Sequence, residues 1–182
     1  FGANTISNGA HNVVVGGSAH NVAGGANSGG AGILSGTNSS LGASSANSVI
    51  AGGRRNRIAG GWESFVGSGN GNFVGTDYSV IGGGFMNSNS TVGAEGATIA
   101  GGEYNRANGK YSQVLGGVSN SALATGSAAI GSMGTVAAGG TNSIILQADP
   151  LYPATNAAPN SVLIAGRGGL QLAALNSVPW EV

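Results

Sequence analysis

Short apolar runs closed by glycine recur along the chain. They are Ser48–Gly53 (SVIAGG), Ser64–Ser68 (SFVGS), Ser79–Gly83 (SVIGG), Thr98–Gly102 (TIAGG), Gln113–Gly117 (QVLGG) and Ala128–Ser132 (AAIGS). Anchored on Gly52, Gly67, Gly82, Gly101, Gly116 and Gly131, the spacings are 15, 15, 19, 15 and 15 residues. The long interval reads as one unit with a four-residue insertion near Asn87–Thr91. Looser copies precede these at Asn12–Gly17 (NVVVGG) and Gly32–Gly36 (GILSG). Later, Asn142–Leu146 (NSIIL) keeps the phase without the glycine, and Asn160–Gly166 (NSVLIAG) repeats the strand text out of register. Each unit has a second half in which Asn often follows the turn, as at Asn56, Asn105 and Asn120. Small or apolar residues come next at Ile58, Phe73, Ala107, Ala122 and Ala137.

A period near 15 is too short for helical repeats, which run to roughly 33–45 residues. Val- and Ile-rich pieces of a few residues, broken by Gly and Asn, read as short strands joined by tight turns. Gly in a helix would cost about 1 kcal/mol at each of these sites. The predicted fold is all-β: a parallel β-solenoid, or β-roll, of about 15 residues per coil, rising about 4.8 Å per coil.

Two positions before the anchoring glycine stand Ile50, Phe65, Val80, Ile99, Val114 and Ala129; one position before it stand Ala51, Val66, Ile81, Ala100, Leu115 and Ile130. Adjacent strand residues point to opposite faces. The strand therefore carries two apolar ladders, one for the core of the coil and one that needs an external cover. A chain without helices finds that cover in further copies of itself, which predicts a homo-oligomer with closed rotational symmetry.

Composition narrows the function classes. With 37 Gly in 182 residues but only 4 Pro and no period of three, the chain is not collagen. It lacks Cys, so disulfide frameworks and thiolate sites are excluded. Six basic residues against six acidic ones leave no net charge, too little to neutralise nucleic-acid phosphates. No apolar run is long enough for a membrane-spanning helix. Opening at Phe1, the chain reads as a processed or excised fragment whose targeting signal lies outside it. Residues 1–146 form the predicted repeat region, looser over 1–46 and regular over 47–146. Residues 147–182 read as a Pro-containing transition and a C-terminal cap. Pro150, Pro153 and Pro159 argue against an interior strand there.

Chemistry-bearing motifs are sparse. His11 and His20 fit no metal-ligand spacing and are expected at the surface. No cofactor is implied. The scattered acids Glu63, Asp77, Glu95 and Glu103 predict no catalytic pair, although two carboxylates at the right separation would suit glycoside cleavage. The basic cluster Arg54, Arg55 and Arg57, with Arg106 one place after Asn105 as Arg57 is after Asn56, is a candidate contact for anionic ligands. Trp62, Phe85 and Tyr104 are candidate stacking residues for a sugar, as are Tyr78 and Tyr111.

The units Asn47–Gly52 (NSVIAG), Asn105–Gly116 (NRANGKYSQVLG) and Asn120–Gly131 (NSALATGSAAIG) resemble the head repeats of trimeric autotransporter adhesins and of related phage and large-virus fibre proteins. The short repeat signature of that family fits Asn120, Ser121, Ala122, Gly126, Ser127, Ala129 and Gly131. Its usual period is close to 14, and the Gly pairs here stand where it commonly has Gly plus a variable residue. The resemblance implies left-handed coils, three chains about one axis, and a non-enzymatic role in a viral or phage attachment fibre. The implied partners are two further copies, other fibre or virion proteins, and a cell-surface glycan or protein. It places the chain on a virion tail or surface fibre, or alternatively on a bacterial surface as an adhesin head. A purely structural virion component and a glycan-cleaving tailspike are the other readings.

Overall fold

The computed structural model describes residues 3–6, 11–23 and 29–167. Twenty short strands, from β1 (Thr5–Ile6) to β20 (Val162–Ala165), alternate between two parallel sheets of ten strands each. The predicted parallel β-solenoid is therefore present. At about 4.8 Å between strands, ten coils make a stack about 45 Å long. Each coil runs through a strand of the first sheet, a corner, a strand of the second sheet, and a single bridge residue before it re-enters the first sheet. The bridge residues form a third ladder through Ser18, Thr37, Arg54, Asn70, Phe85, Glu103, Val118 and Ser132.

The register decides which residues face inward. In the second sheet Ile50 pairs with Val66, and the column continues through Ile81, Ile99, Val114, Ala129 and Ile145. These residues are buried and follow one another at 16, 15, 18, 15, 15 and 16 residues. Facing them is the first sheet's column of Leu41, Ile58, Val74, Asn89, Ala107, Ala122 and Val136. The interior is thus two apolar columns, with each residue resting on its counterpart in the next coil.

Four expected ladder assignments change. Phe65 pairs with Val49 rather than Ile50 and Val80 pairs with Phe65, so both point outward; Val66 and Ile81 take the core positions instead. Leu115 and Ile130, placed in line with them by sequence, lie on the outer side of the sheet. The cause is the glycine. Gly67 and Gly82 follow the inward residue directly, whereas Gly52 and Gly101 follow it after one further residue, Ala51 or Ala100. Phe73 and Ala137 shift likewise, with Val74 and Val136 buried in their place.

The two corners share one device. A residue of positive φ turns the chain and donates its N–H back to the preceding coil; a polar side chain then points into the stack. At the corner entering the second sheet the pair is exemplified by Tyr78 (φ 58) and the buried Ser79. At the corner entering the first sheet it is exemplified by Met86 (φ 54) and the buried Asn87. The asparagines form a continuous column. Asn72, Asn87, Asn105 and Asn120 each donate their backbone N–H to Oδ1 of the Asn one coil earlier, at 3.0, 3.1, 2.9 and 2.9 Å. Serines do the same work at the other corner: Ser64 N–H reaches Ser48 Oγ at 3.0 Å and Ser79 N–H reaches Ser64 Oγ at 3.1 Å. Buried peptide groups at bends are otherwise costly to leave unpaired.

His20 occupies the Asn position of its coil and is buried, not exposed as its sequence context suggested. Its Nδ1 accepts Ser39 N–H at 3.3 Å, which places the ring proton on Nε2. That Nε2 is buried without a partner. At the matching site, Asn56 Nδ2 donates to Gly52 O (2.9 Å) and Gly69 O (3.0 Å). His20→Asn is therefore expected to stabilise the chain by about 1 kcal/mol, the worth of a restored buried hydrogen bond. Urea denaturation would show it as a higher midpoint with an unchanged slope; a lower midpoint would contradict the column.

The sheets carry on past Leu146. Ala154–Asn156, between Pro153 and Pro159, extends the first sheet, and β20 extends the second in register with Ile144–Gln147. The first is the last described strand of its sheet, so the prolines remove no interior ladder bond. Of the expected transition and C-terminal cap over 147–182, residues 168–182 lie outside the described residues.

Candidate functional site

The seven sequence-predicted contact residues fall on three surfaces. Arg54 and Arg55, with Phe85 and Tyr104, share the corner entering the first sheet. Phe85 and Tyr104 meet edge to face, with centroids 5.3 Å apart and planes at 89°. Arg57 and Arg106 point outward from the first sheet, three coils apart in the column Arg57, Phe73, Ser88, Arg106. Arg57 lies 5.6 Å from the centroid of Phe73 and shields the one large apolar ring on that face. Trp62 stands apart from all of these, on the opposite corner.

Among the described residues the ion pairs are Lys110–Glu95 at 3.5 Å and Arg167–Asp149 at 3.0 Å. None of the four candidate arginines takes part, and all four are exposed. An exposed guanidinium without a carboxylate partner keeps its fork of donors available to an anion.

The corner holding Trp62 was only partly legible. In the column of positive-φ residues stand Glu63, Tyr78, Gly96 and Tyr111. Just ahead of each stand Trp62, Asp77, Glu95 and Lys110. The stacking is fixed by the backbone: Tyr78 N–H donates to Trp62 O (2.8 Å), Gly96 N–H to Asp77 O (3.0 Å) and Tyr111 N–H to Glu95 O (2.9 Å). Three of the four predicted acids, Glu63, Asp77 and Glu95, thus share one edge, while Glu103 lies on the other. Asp77 Oδ1 accepts Trp62 N–H at 2.9 Å. The sequence signal for this grouping is the residue just before the buried serine, which periodicity marks only once the serine column is recognised.

No group of three or more His, Asp or Glu suited to a metal ion occurs among the described residues, and no helix there is long and apolar enough to cross a membrane. What the surface offers is recognition chemistry: unpaired guanidinium groups on one side, and rings beside carboxylates on the other. No family model matches the chain, and no curated protein matches it.

Proposed function

We propose that the chain is a rigid, non-enzymatic segment of a homotrimeric attachment fibre, with left-handed coils packed about one axis. A viral or phage fibre fits the period and the Gly pairs best; a bacterial adhesin head is the second reading, carried by the resemblance of Asn120–Gly131. The observation that supports a multi-chain rod is the contrast between the two outer faces. The first sheet presents Asn21, Ser40, Arg57, Ser88, Arg106, Ser121 and Thr135, polar throughout except for Phe73. In the same outward column the second sheet presents Val13, Val49, Phe65, Val80, Ile144 and Val162, interrupted by Gly32, Thr98, Gln113 and Ala128. Leu34, Leu115 and Ile164 extend the apolar side and are each about half exposed.

The stripe runs from Val13 to Ile164 and thins at the Thr98 coil, where Ala100 alone supplies apolar surface. At about 45 Å by 15 Å, roughly 700 Å², it falls somewhat short of the roughly 800 Å² per partner of a standard interface and lies within the range of stable ones. Three copies with this sheet toward the axis cover it and leave the polar sheet in solvent. In that arrangement Arg54, Arg55, Arg57 and Arg106 recur around the rod, so weak contacts to a cell-surface glycan or protein add through avidity.

Light scattering on the 182-residue chain is expected to give three times 17.4 kDa. Phe65→Lys with Val80→Lys places charges in the stripe without touching the core columns. The double variant is expected to run as a monomer with its β-sheet circular dichroism retained. A monomeric wild type would remove the basis for the trimer.

A further inference from the structure

From Phe73 to Ala128 the coils are regular except at one place. From Ser88 to its successor in the second sheet, Thr98, the chain uses ten positions, where Phe73 to Val80, Arg106 to Gln113 and Ser121 to Ala128 use seven. The three extra residues bulge outward, with Val92 99% exposed. The bulge walls a cleft of about 180 Å³ whose lining includes Gly75, Thr76, Asp77, Val92 and Glu95. Insertions in repeat stacks map to loops on one face, which is often the face that binds.

Aromatic rings share the corner with this cleft without lining it. Trp62, Tyr78 and Tyr111 are 44%, 55% and 59% exposed. Tyr78 and Tyr111 hold φ of 58° and 56°, a conformation that is an outlier for bulky side chains. Gly96 and Gly126 fill the same corner position in other coils, so the corner itself does not call for tyrosine. Gly96 also makes room for the ring of Tyr111: a Cβ there would lie 2.7 Å from Tyr111 Cδ1. Exposed rings kept where glycine serves in other coils point to a use for the rings.

We infer that this corner is a saccharide-binding cleft for a neutral glycan of at least two pyranose units lying along the rod. Tyr78 and Tyr111 are two coils apart, about 9.6 Å, and present flat apolar faces to the C–H faces of successive sugars, the second sugar taking the place that Lys110 Nζ holds 5.2 Å from the Tyr111 centroid. Between them, the carboxylates of Asp77 and Glu95 accept hydrogen bonds from sugar hydroxyls. Asp77 is oriented for this by Trp62 N–H, which occupies Oδ1 and leaves Oδ2 open. Lys110, 3.5 Å from Glu95, steadies the second carboxylate. With Glu63, Asp77 and Glu95 against one lysine, the edge repels sulfated and uronic polymers, which selects uncharged sugars. The inference goes beyond the fibre reading and does not depend on the trimer.

The test is a titration of the full chain, followed by calorimetry and by tryptophan fluorescence, with cello-, malto-, manno- and chito-hexasaccharides. Saturable binding to at least one of them is expected. Tyr78→Gly, which keeps the backbone conformation, and Asp77→Asn are each expected to weaken it at least tenfold. Gly96→Ala is expected to weaken it by displacing the Tyr111 ring. Tyr104→Gly on the opposite corner should leave it unchanged. Circular dichroism and light scattering on the same samples separate loss of binding from loss of fold or of assembly. Absence of saturable binding to every hexasaccharide overturns the proposal, as does binding that survives Tyr78→Gly and Asp77→Asn. Capture of a sulfated glycan through Arg54 and Arg55 in place of any neutral one overturns it too.

Discussion

Gly84→Ala is expected to abolish the stacked structure, whereas Gly83→Ala, one residue away, is expected to leave it intact. Gly84 sits at φ +95, and a Cβ on it would overlap the carbonyl oxygen of Gly102 in the next coil. It would also lie 2.7 Å from Asn87 Nδ2 and 2.9 Å from Gly102 N. Two of these three obstacles are backbone, held by the ladder bond from Phe85 N–H to Gly102 O at 2.9 Å, and no rotamer change relieves them. The same overlap recurs at Gly53, Gly69, Gly102 and Gly117, so the neighbouring coils cannot shift to make room. Gly83 has ordinary φ, and its Cβ would meet Ser68 Oγ at a comfortable 3.5 Å. Gly84→Ala should cost more than about 4 kcal/mol, a large part of the roughly 5–15 kcal/mol that holds a domain folded. Gly83→Ala should fall within about 1 kcal/mol of the wild type, on either side, because alanine restricts the unfolded chain. Urea denaturation followed by circular dichroism decides the matter. Equal midpoints for the two variants would mean that the coils do not stack in this register.

The same pair of glycines explains what the sequence showed and where it misled. The period, the short strands, the parallel coil and the outer apolar ladder all follow from local text: Val and Ile in short runs, with Gly and Asn between them. Phase does not. In Ile50–Ala51–Gly52–Gly53 only the second glycine lies against the next coil's carbonyl, whereas in Val66–Gly67–Ser68–Gly69 both glycines do. What distinguishes them is the approach of the next coil's carbonyl, a contact some 15 residues away that no local pattern encodes. Anchoring on Gly67 and Gly82 therefore slid two coils by one residue. A one-residue slip exchanges the faces of a strand, and so Phe65 and Val80 were read as equivalents of Ile50.

Burial of the polar columns was hidden for a related reason. Asn56, Asn105 and Asn120 look like turn residues, since Asn tolerates positive φ and bonds its own turn. In the stack the positive φ belongs to the residue before each of them, Arg55, Tyr104 and Ser119. The amides turn inward because five or more coils bring identical amides into line, each satisfying the next. Asn89 shows how far this logic extends. It sits in the apolar column between Val74 and Ala107, and its Nδ2 donates to Ala97 O at 3.1 Å and Val80 O at 3.3 Å. From Ser48 to Ser161, Ala97 is the one position where the serine column lacks its hydroxyl, in the same coil that carries the insertion. The candidate site was legible in its residue types and not in its grouping, because Trp62, Asp77, Glu95 and Tyr111 meet only through the stacking.

Asn105→Ala tests that column directly and carries the second large effect. Asn105 Oδ1 accepts Asn120 N–H at 2.9 Å and Asn120 Nδ2 at 3.1 Å. Its Nδ2 donates to Gly101 O at 3.0 Å and Gly117 O at 2.9 Å. Truncation strips a partner from a buried N–H and from two carbonyls at the bend. At about 1–3 kcal/mol for each unsatisfied group, softened because Gly117 O keeps the Glu103 N–H as a backbone donor, the expected cost is about 3–5 kcal/mol. Asn105→Asp should be no better: it keeps an acceptor for Asn120 but turns a second oxygen toward the two carbonyls. Asn105→Ser should recover part of the loss. Ser39 already stands at this position in its own coil, where its Oγ accepts Asn56 N–H at 3.3 Å. The predicted order of stability is Asn, then Ser, then Ala and Asp together. Amide hydrogen exchange adds a positional reading. Because each amide answers only to the coils on either side, exchange at Asn120 should accelerate more than exchange at Asn72, whose bond to Asn56 is untouched. Uniform acceleration along the chain would instead mean that the column acts as one cooperative unit, and equal stability of Asn105→Ala and the wild type would remove the column from the account of how the coils hold together.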